Sequence, residues 1–237
     1  MKEAALKEKK SILLILSLSL LVLIASALCS FDQYVAKVDE IAVAEQRRAE
    51  SLKLADLLRQ TSDDLTRMAR TYVVTGEPRY EDYFKQILAI RSGEKPRPVD
   101  YGDVYWDYVV STGSKPRKGG PPISLEKIMR QQGFSSEEFN LLNHARQRSD
   151  RLAVLEVRAM YAVKGYAPDS NGKYVETGKP DFELAQKLLH GKEYHDAKIG
   201  IMELIDRVTK SVDTRTQQEI DHLNAESGQL ATLSLVL

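Results

Sequence analysis

Cysteine occurs once in the 237 residues, at Cys29, so no disulfide can form within the chain and any folded part is held by packing. Charge of either sign is also missing in the balance. Lysine plus arginine number 34 and aspartate plus glutamate number 34, which leaves no net field to gather nucleic acid or an acidic substrate. Histidine is scarce, with four in all. His144 and His222 stand alone, and His190 and His195 would lie about 140° apart on a continuous helix. With no cysteine to join them, neither a metal site nor a cofactor is expected. Motifs of covalent or phosphate chemistry are absent too: there is no nucleophile elbow, phosphate loop or zinc-protease helix. Gly119-Gly120 leads into two prolines, not into a helix that could hold phosphate. The adjacent carboxylates Asp63-Asp64 and Glu137-Glu138 diverge on a helix. No catalytic residue and no enzyme activity are expected. The i,i+4 pairs Asp63–Arg67 and Glu126–Arg130 read as ion pairs worth about 0.2–0.5 kcal/mol each.

The chain does contain one long charge-free run. Ser11 to Phe31 is rich in Leu, Ile and Val and has the roughly 20 residues needed to cross a bilayer. Lys2, Lys7, Lys9 and Lys10 precede it, which favours a cytoplasmic N-terminus. Residues 1–10 are therefore expected inside, 11–31 in the membrane, and the chain from Asp32 outside. Ala25-Ser26-Ala27 also fits a signal-peptide cleavage site, and Ser26-Ala27-Leu28-Cys29 faintly a lipoprotein site, although Leu28 is large for the position before the cysteine. The anchor is preferred because the run exceeds a signal core of about 7–15 residues. At the other end Leu230, Leu233, Leu235, Val236 and Leu237 make an apolar stretch too short to cross a bilayer. It is read as the start of a second transmembrane helix over 228–237 that the sequence cuts short. The alternative is an apolar tail packed on a neighbouring helix.

Between these ends, proline and glycine are confined to a few places. Asp32 to about Val74 has neither, and Leu54, Leu58, Thr61, Leu65, Met68 and Tyr72 step by four and three like a packed seam. Thr75-Gly76-Glu77-Pro78 closes that helix. A second helix follows to Arg91, with Tyr80, Phe84, Ile87, Leu88 and Arg91 near one face. Gly93 to Pro98 is a stiff basic linker, Tyr101 to Val110 a short aromatic helix, and Ser114 to Pro122 an exposed loop. Ser124 caps a short helix ending near Gly133. Ser135-Ser136-Glu137-Glu138 carries a capping box for a helix to about Lys164. Gly165 to Pro180 reads as a mobile loop or a small excursion, Asp181 to His190 as a short helix, and the chain from Lys192 as a last long helix. No stretch alternates at strand length. The expected fold is all-α: an elongated antiparallel bundle, four-helix-bundle-like, preceded by an N-terminal transmembrane helix.

One constellation stands out. Tyr72, Tyr80, Tyr83, Tyr101, Tyr105, Trp106 and Tyr108 crowd into a stretch that also holds Arg67, Arg70, Arg79 and Arg91. Aromatic walls with guanidinium groups can hold a small anionic or amphipathic ligand, or clamp an organic cation. Arg67, Arg70, Tyr72, Tyr80, Tyr83, Tyr105 and Trp106 are the candidate ligand-binding residues. Core packing is the alternative role for each ring.

Thr66-Arg67-Met68-Ala69-Arg70-Thr71-Tyr72-Val73-Val74-Thr75-Gly76-Glu77-Pro78 resembles the corner that ends the first long helix of periplasmic sensor regions in bacterial receptors. Ser62 to Tyr108 as a whole is similar to such regions in hybrid sensor histidine kinases and methyl-accepting chemoreceptors. Ser149-Asp150, Ala159-Met160 and Tyr194-His195 with Ala197-Lys198 also look like features of that group. The resemblance implies an extracytoplasmic helical sensor domain over 32–227, in the periplasm and anchored in the bacterial inner membrane. It also implies a homodimer, a small-molecule ligand or a periplasmic binding protein as partner, and helix displacement passed across the membrane. Its motifs are structural corners, so it assigns no ligand-binding residue and leaves the output (kinase, chemoreceptor or cyclase) open. The competing reading is a single-pass membrane-anchored adaptor or structural protein with no signalling output.

Overall fold

The computed structural model describes the backbone of residues 2–102 and 104–236 and the side chains of 7, 9–102 and 104–234. Among these residues there are seven helices and one small hairpin. In order they are α1 (Lys2–Thr75), α2 (Pro78–Ser92), α3 (Tyr105–Thr112), α4 (Leu125–Gln131), α5 (Ser136–Val163), β1 (Tyr166–Pro168), β2 (Tyr174–Glu176), α6 (Phe182–His190) and α7 (Lys192–Val236). The all-α expectation holds apart from the hairpin.

Local chemistry sets the boundaries. α1 contains no proline or glycine, and it stops where Gly76 takes a left-handed φ of 69° and donates its N–H to the Tyr72 carbonyl at 2.7 Å. Pro78 then opens α2, where a missing N–H costs nothing. Ser124 caps α4 by accepting from the Lys127 N–H at 3.2 Å. The capping box of α5 is complete: the Ser135 N–H donates to Glu138 Oε2 at 2.6 Å, and the Glu138 N–H donates to Ser135 Oγ at 3.1 Å. Asp181 caps α6 in the same way.

The chain divides into two units, one of Glu50–Asp213 and one of the chain up to Ala49 with the chain from Thr214. In the smaller unit Lys37 pairs with Glu226 at 3.0 Å and Arg47 with Glu219 at 2.9 Å. Rising numbers on α1 meet falling numbers on α7, so the two run in opposite directions there. The charge-free run of α1 also belongs to this unit. Its Leu, Ile and Val side chains from Ile12 to Ile24 are 43–71% exposed, and the helix is long and apolar enough there to cross a membrane.

In the larger unit, bonds between helices fix the directions of four of them. Lys198 donates to Ser62, Tyr194 contacts Thr66, and Arg70 donates to the Leu189 carbonyl, so α7 runs against α1. Tyr194 reaches Glu156 and Arg148 donates to the Gly200 carbonyl, so α7 also runs against α5. Lys164 with Glu81, and Arg91 with Ser149, set α2 against α5. The core between them is built from Leu65, Met68 and Tyr72 of α1, Phe84 and Ile87 of α2, Ala159 and Met160 of α5, and Ile201, Ile205 and Val208 of α7. Leu189 of α6 and Tyr105 and Trp106 of α3 join it.

Three expectations are sharpened or corrected. The stretch Gly165 to Pro180 is the small excursion, an antiparallel hairpin with Tyr166 opposite Glu176 and Pro168 opposite Tyr174. Its strands of three residues are too short for alternation to be read. Tyr174 stacks on Tyr161 with ring centroids 4.0 Å apart, and the Asp169 carboxylate closes the turn by accepting the Asn171 and Lys173 N–H groups at 2.9 Å. The aromatic helix begins only at Tyr105, because the backbone before it is taken up by a turn at Gly102 and a left-handed Asp100. Arg67 does not pair with Asp63. It holds Asp64 at 2.7 Å and Asp107 of α3, while Asp63 takes Arg59 and Lys198. The Glu126–Arg130 pair is present at 2.7 Å. Leu235, Val236 and Leu237, part of the apolar C-terminal stretch, lie outside the residues with described side chains.

Candidate functional site

The aromatic residues singled out from the sequence do gather, and they gather as core. Tyr80 meets Tyr83 edge-on at 6.2 Å, Tyr83 tilts against Trp106 at 5.7 Å, and Trp106 meets Tyr105 edge-on at 5.3 Å. Tyr101 completes the array, accepting the indole N–H of Trp106 at 2.7 Å. Tyr72, Tyr80, Tyr105 and Trp106 are buried and Tyr83 is half-buried. Edge-to-face rings at these distances pack favourably and leave no slot between them. Arg67 is engaged by its two carboxylates. Burial pushes the Asp64 carboxyl up to about 6 against the pull of Arg67. For Arg67 burial pulls the other way, but the hydrogen bonds it donates to Asp107 and Asp64, with their negative charges, leave its pKa raised. Arg70 lies over the Tyr194 ring at 5.0 Å.

A hollow lies elsewhere in the same unit. A cavity of about 580 Å³ is walled by α1, α2, α4, α5 and α7. Its apolar wall includes Leu58, Leu88, Met129, Phe139, Leu142 and Ile201, and its polar groups include Ser62, Arg91, Arg146, Ser149 and Asp150. That volume lies within the 300–1,000 Å³ of small-molecule sites, and an apolar wall with a few polar groups is their usual make-up. None of the seven aromatic and arginine candidates lines it.

No family model, curated protein or solved structure matches this chain. Arg91 is the unusual member. Burial pulls its pKa down, against the charges of Asp150 and Glu156, yet it keeps accessible surface because it opens into the cavity. Its hydrogen bond is to Ser149 Oγ at 3.5 Å, at the limit of a useful contact. A guanidinium carries five N–H donors and stays charged. Lys85 and Glu126, by contrast, are paired to Glu81 and Arg130.

Beside the hollow runs a buried polar chain. Tyr194 Oη donates to Glu156 Oε1 at 2.7 Å and lies 3.1 Å from Thr66 Oγ1. Lys198 Nζ donates to the Ser62 carbonyl and hydroxyl at 2.8 Å and pairs with Asp63 at 3.2 Å. Burial raises the Glu156 carboxyl pKa, opposed by the Tyr194 hydroxyl and by Lys198, Arg91 and Arg70. Ser62 belongs to both the chain and the cavity wall. Sequence reasoning set Ser149-Asp150 and Tyr194 to Lys198 apart only as points of resemblance; the fold puts the first pair at the cavity and the second in this network. Among the described residues no cluster of three or more metal-ligating side chains occurs.

Proposed function

We propose that the chain is the extracytoplasmic ligand-sensing module of a bacterial transmembrane signal-transduction receptor, of the sensor histidine kinase or chemoreceptor type. Residues 11–31 cross the inner membrane, and 32–227 form a periplasmic sensor domain built on a four-helix bundle of α1, α2, α5 and α7. The domain works as a homodimer, and the cavity takes the ligand, free or delivered by a binding protein. The observation that carries this reading is that one uninterrupted helix, α1, holds two features. Its apolar side chains from Ile12 to Ile24 are exposed, and its Leu58 and Ser62 form part of the cavity wall. α7 adds Ile201 and Ile205 to the same wall. A ligand that prefers one arrangement of these helices shifts its population.

The test is membrane extraction of the chain expressed in bacteria, together with a periplasm-active reporter fused after residue 40. The chain is expected to stay in the membrane pellet through alkaline carbonate washing, with an active reporter, and to be released when residues 11–31 are deleted. Extraction of the intact chain by carbonate, or an inactive reporter at position 40, would sink the receptor reading.

A further inference from the structure

We propose that the cavity binds a monocarboxylate with an apolar body, the carboxylate being held by the Arg91 guanidinium. This rests on the reading of the cavity as the sensing site. Three observations select the ligand class. Arg91 is set on the apolar face of α2 and opens into the hollow with one 3.5 Å hydrogen bond and no carboxylate within ion-pair distance among the described residues. A crowded guanidinium so poorly partnered gains most from a planar anion that takes two parallel N–H bonds. The wall beyond it is hydrocarbon, from Leu58, Leu88, Met129, Phe139, Leu142 and Ile205, and would desolvate an alkyl or aryl body. Finally, with Lys85 and Glu126 paired outside the hollow, Glu94 and Asp150 offset the charges of Arg91 and Arg146 in the lining, and that balance argues against a phosphate dianion. Glu94 and Asp150 are exposed, so water already satisfies them and they do not call for a cationic ligand as Arg91 calls for an anion.

The experiment uses the full chain in lipid nanodiscs, with retention measured by equilibrium dialysis and empty nanodiscs subtracted. The probes are hexanoate, octanoate and 3-phenylpropanoate, each beside its primary amide, which has the same shape without the charge. At least one acid is expected to bind ten-fold or more tightly than its amide. Arg91→Gln is expected to lose ten-fold or more for that acid and to leave the amide unchanged. Leu142→Trp, which fills the cavity, is expected to abolish retention of both. If acid and amide bind equally, or Arg91→Gln binds the acid as wild type does, the carboxylate assignment falls and the sensing cavity stands. Failure of the wild-type chain to retain any acid also overturns the carboxylate assignment, while carbonate extraction judges the membrane receptor separately. The wild-type acid-to-amide ratio needs no variant, so a misfolded Arg91→Gln protein does not shield the proposal.

Discussion

Tyr194→Phe removes one oxygen from a ring that is fully buried, and the consequences can be worked from the partners it leaves. The hydroxyl donates to Glu156 at 2.7 Å and touches Thr66 at 3.1 Å, and Glu156 itself is 4% exposed. A hydrogen bond to an ionised group is worth about 1.5–3 kcal/mol, and one between neutral groups about 0.5–1.5 kcal/mol. The cost of the substitution should therefore depend on whether Glu156 carries its charge. Burial raises the Glu156 pKa above its unfolded value, so the folded state binds that proton more tightly than the unfolded state does. Stability from this group is then fully present below the unfolded value of about 4.3 and is lost as pH rises through the raised folded value. Tyr194 opposes that rise by stabilising the carboxylate. Its removal should cost about 1 kcal/mol where Glu156 is protonated and about 2–3 kcal/mol where it is ionised, the larger figure lowering the melting temperature by roughly 4–10 °C. The charged groups that face Glu156, namely Lys198, Arg91 and Arg70, are the same in both proteins. Asp64 titrates near 6 in both proteins and cancels in the difference. Thermal melts by circular dichroism of the full chain, wild type against Tyr194→Phe at several pH values, read the effect. In a Glu156→Gln background the cost of Tyr194→Phe should lose its pH dependence, since the coupling partner no longer ionises. A cost of Tyr194→Phe that does not change with pH in the Glu156 protein would refute the reasoning.

Two further sites test packing within the larger unit. Gly93 has φ 84°, and a Cβ there would lie 2.5 Å from the Ser124 nitrogen and 2.9 Å from the Ile123 carbonyl carbon, both backbone atoms with no freedom to swing away. Gly93→Ala should cost about 2–4 kcal/mol in urea unfolding, against about 1 kcal/mol for Gly133→Ala, where φ is 78° but nothing lies within 4 Å; equal costs would show that the close approach is not real. The three guanidinium nitrogens of Arg97 are buried without a hydrogen-bond partner among the described residues, burial lowers its pKa, and the guanidinium lies over the Tyr101 ring face at 5.4 Å. Arg97→Met should be neutral or stabilising by about 1 kcal/mol, because an apolar side chain of similar length does not suffer the desolvation; a loss above 1 kcal/mol would mean that the charge is satisfied after all.

The helix ends were the most legible part of the sequence, since each is written in a few adjacent residues. Thr75-Gly76-Glu77-Pro78, the Ser135 capping box and Ser124 all act where they stand. The side-chain partners were less legible because they are not local. Asp63 is four residues from Arg67 on one helix, but Lys198 of α7 and Asp107 of α3 compete for the pair and split it. The aromatic cluster was legible as a gathering and not in its role. Rings spaced for a pocket and rings spaced for a core have the same pattern, and here their edges meet one another.

The cavity was illegible for a sharper reason. Its walls come from five helices, and on each of them the lining residues follow the core period: Leu58 and Ser62, Leu88 and Arg91, Leu125 and Met129, Leu142, Ala145 and Ser149, Ile201 and Ile205. In sequence these positions are continuous with the packed seam. What opens the hollow is the size of some of the side chains that occupy it. Ser62, Ala89, Ala145 and Ser149 stand where Leu or Ile would close the gap, and interiors otherwise pack close to crystal density. One residue did carry a readable signal. Arg91 lies on the same face of α2 as Phe84, Ile87 and Leu88, and a long cation on an apolar face conflicts with the local pattern. Such conflicts between local pattern and global fold are where function is expected, and it is at this position that the hollow and the under-partnered charge coincide.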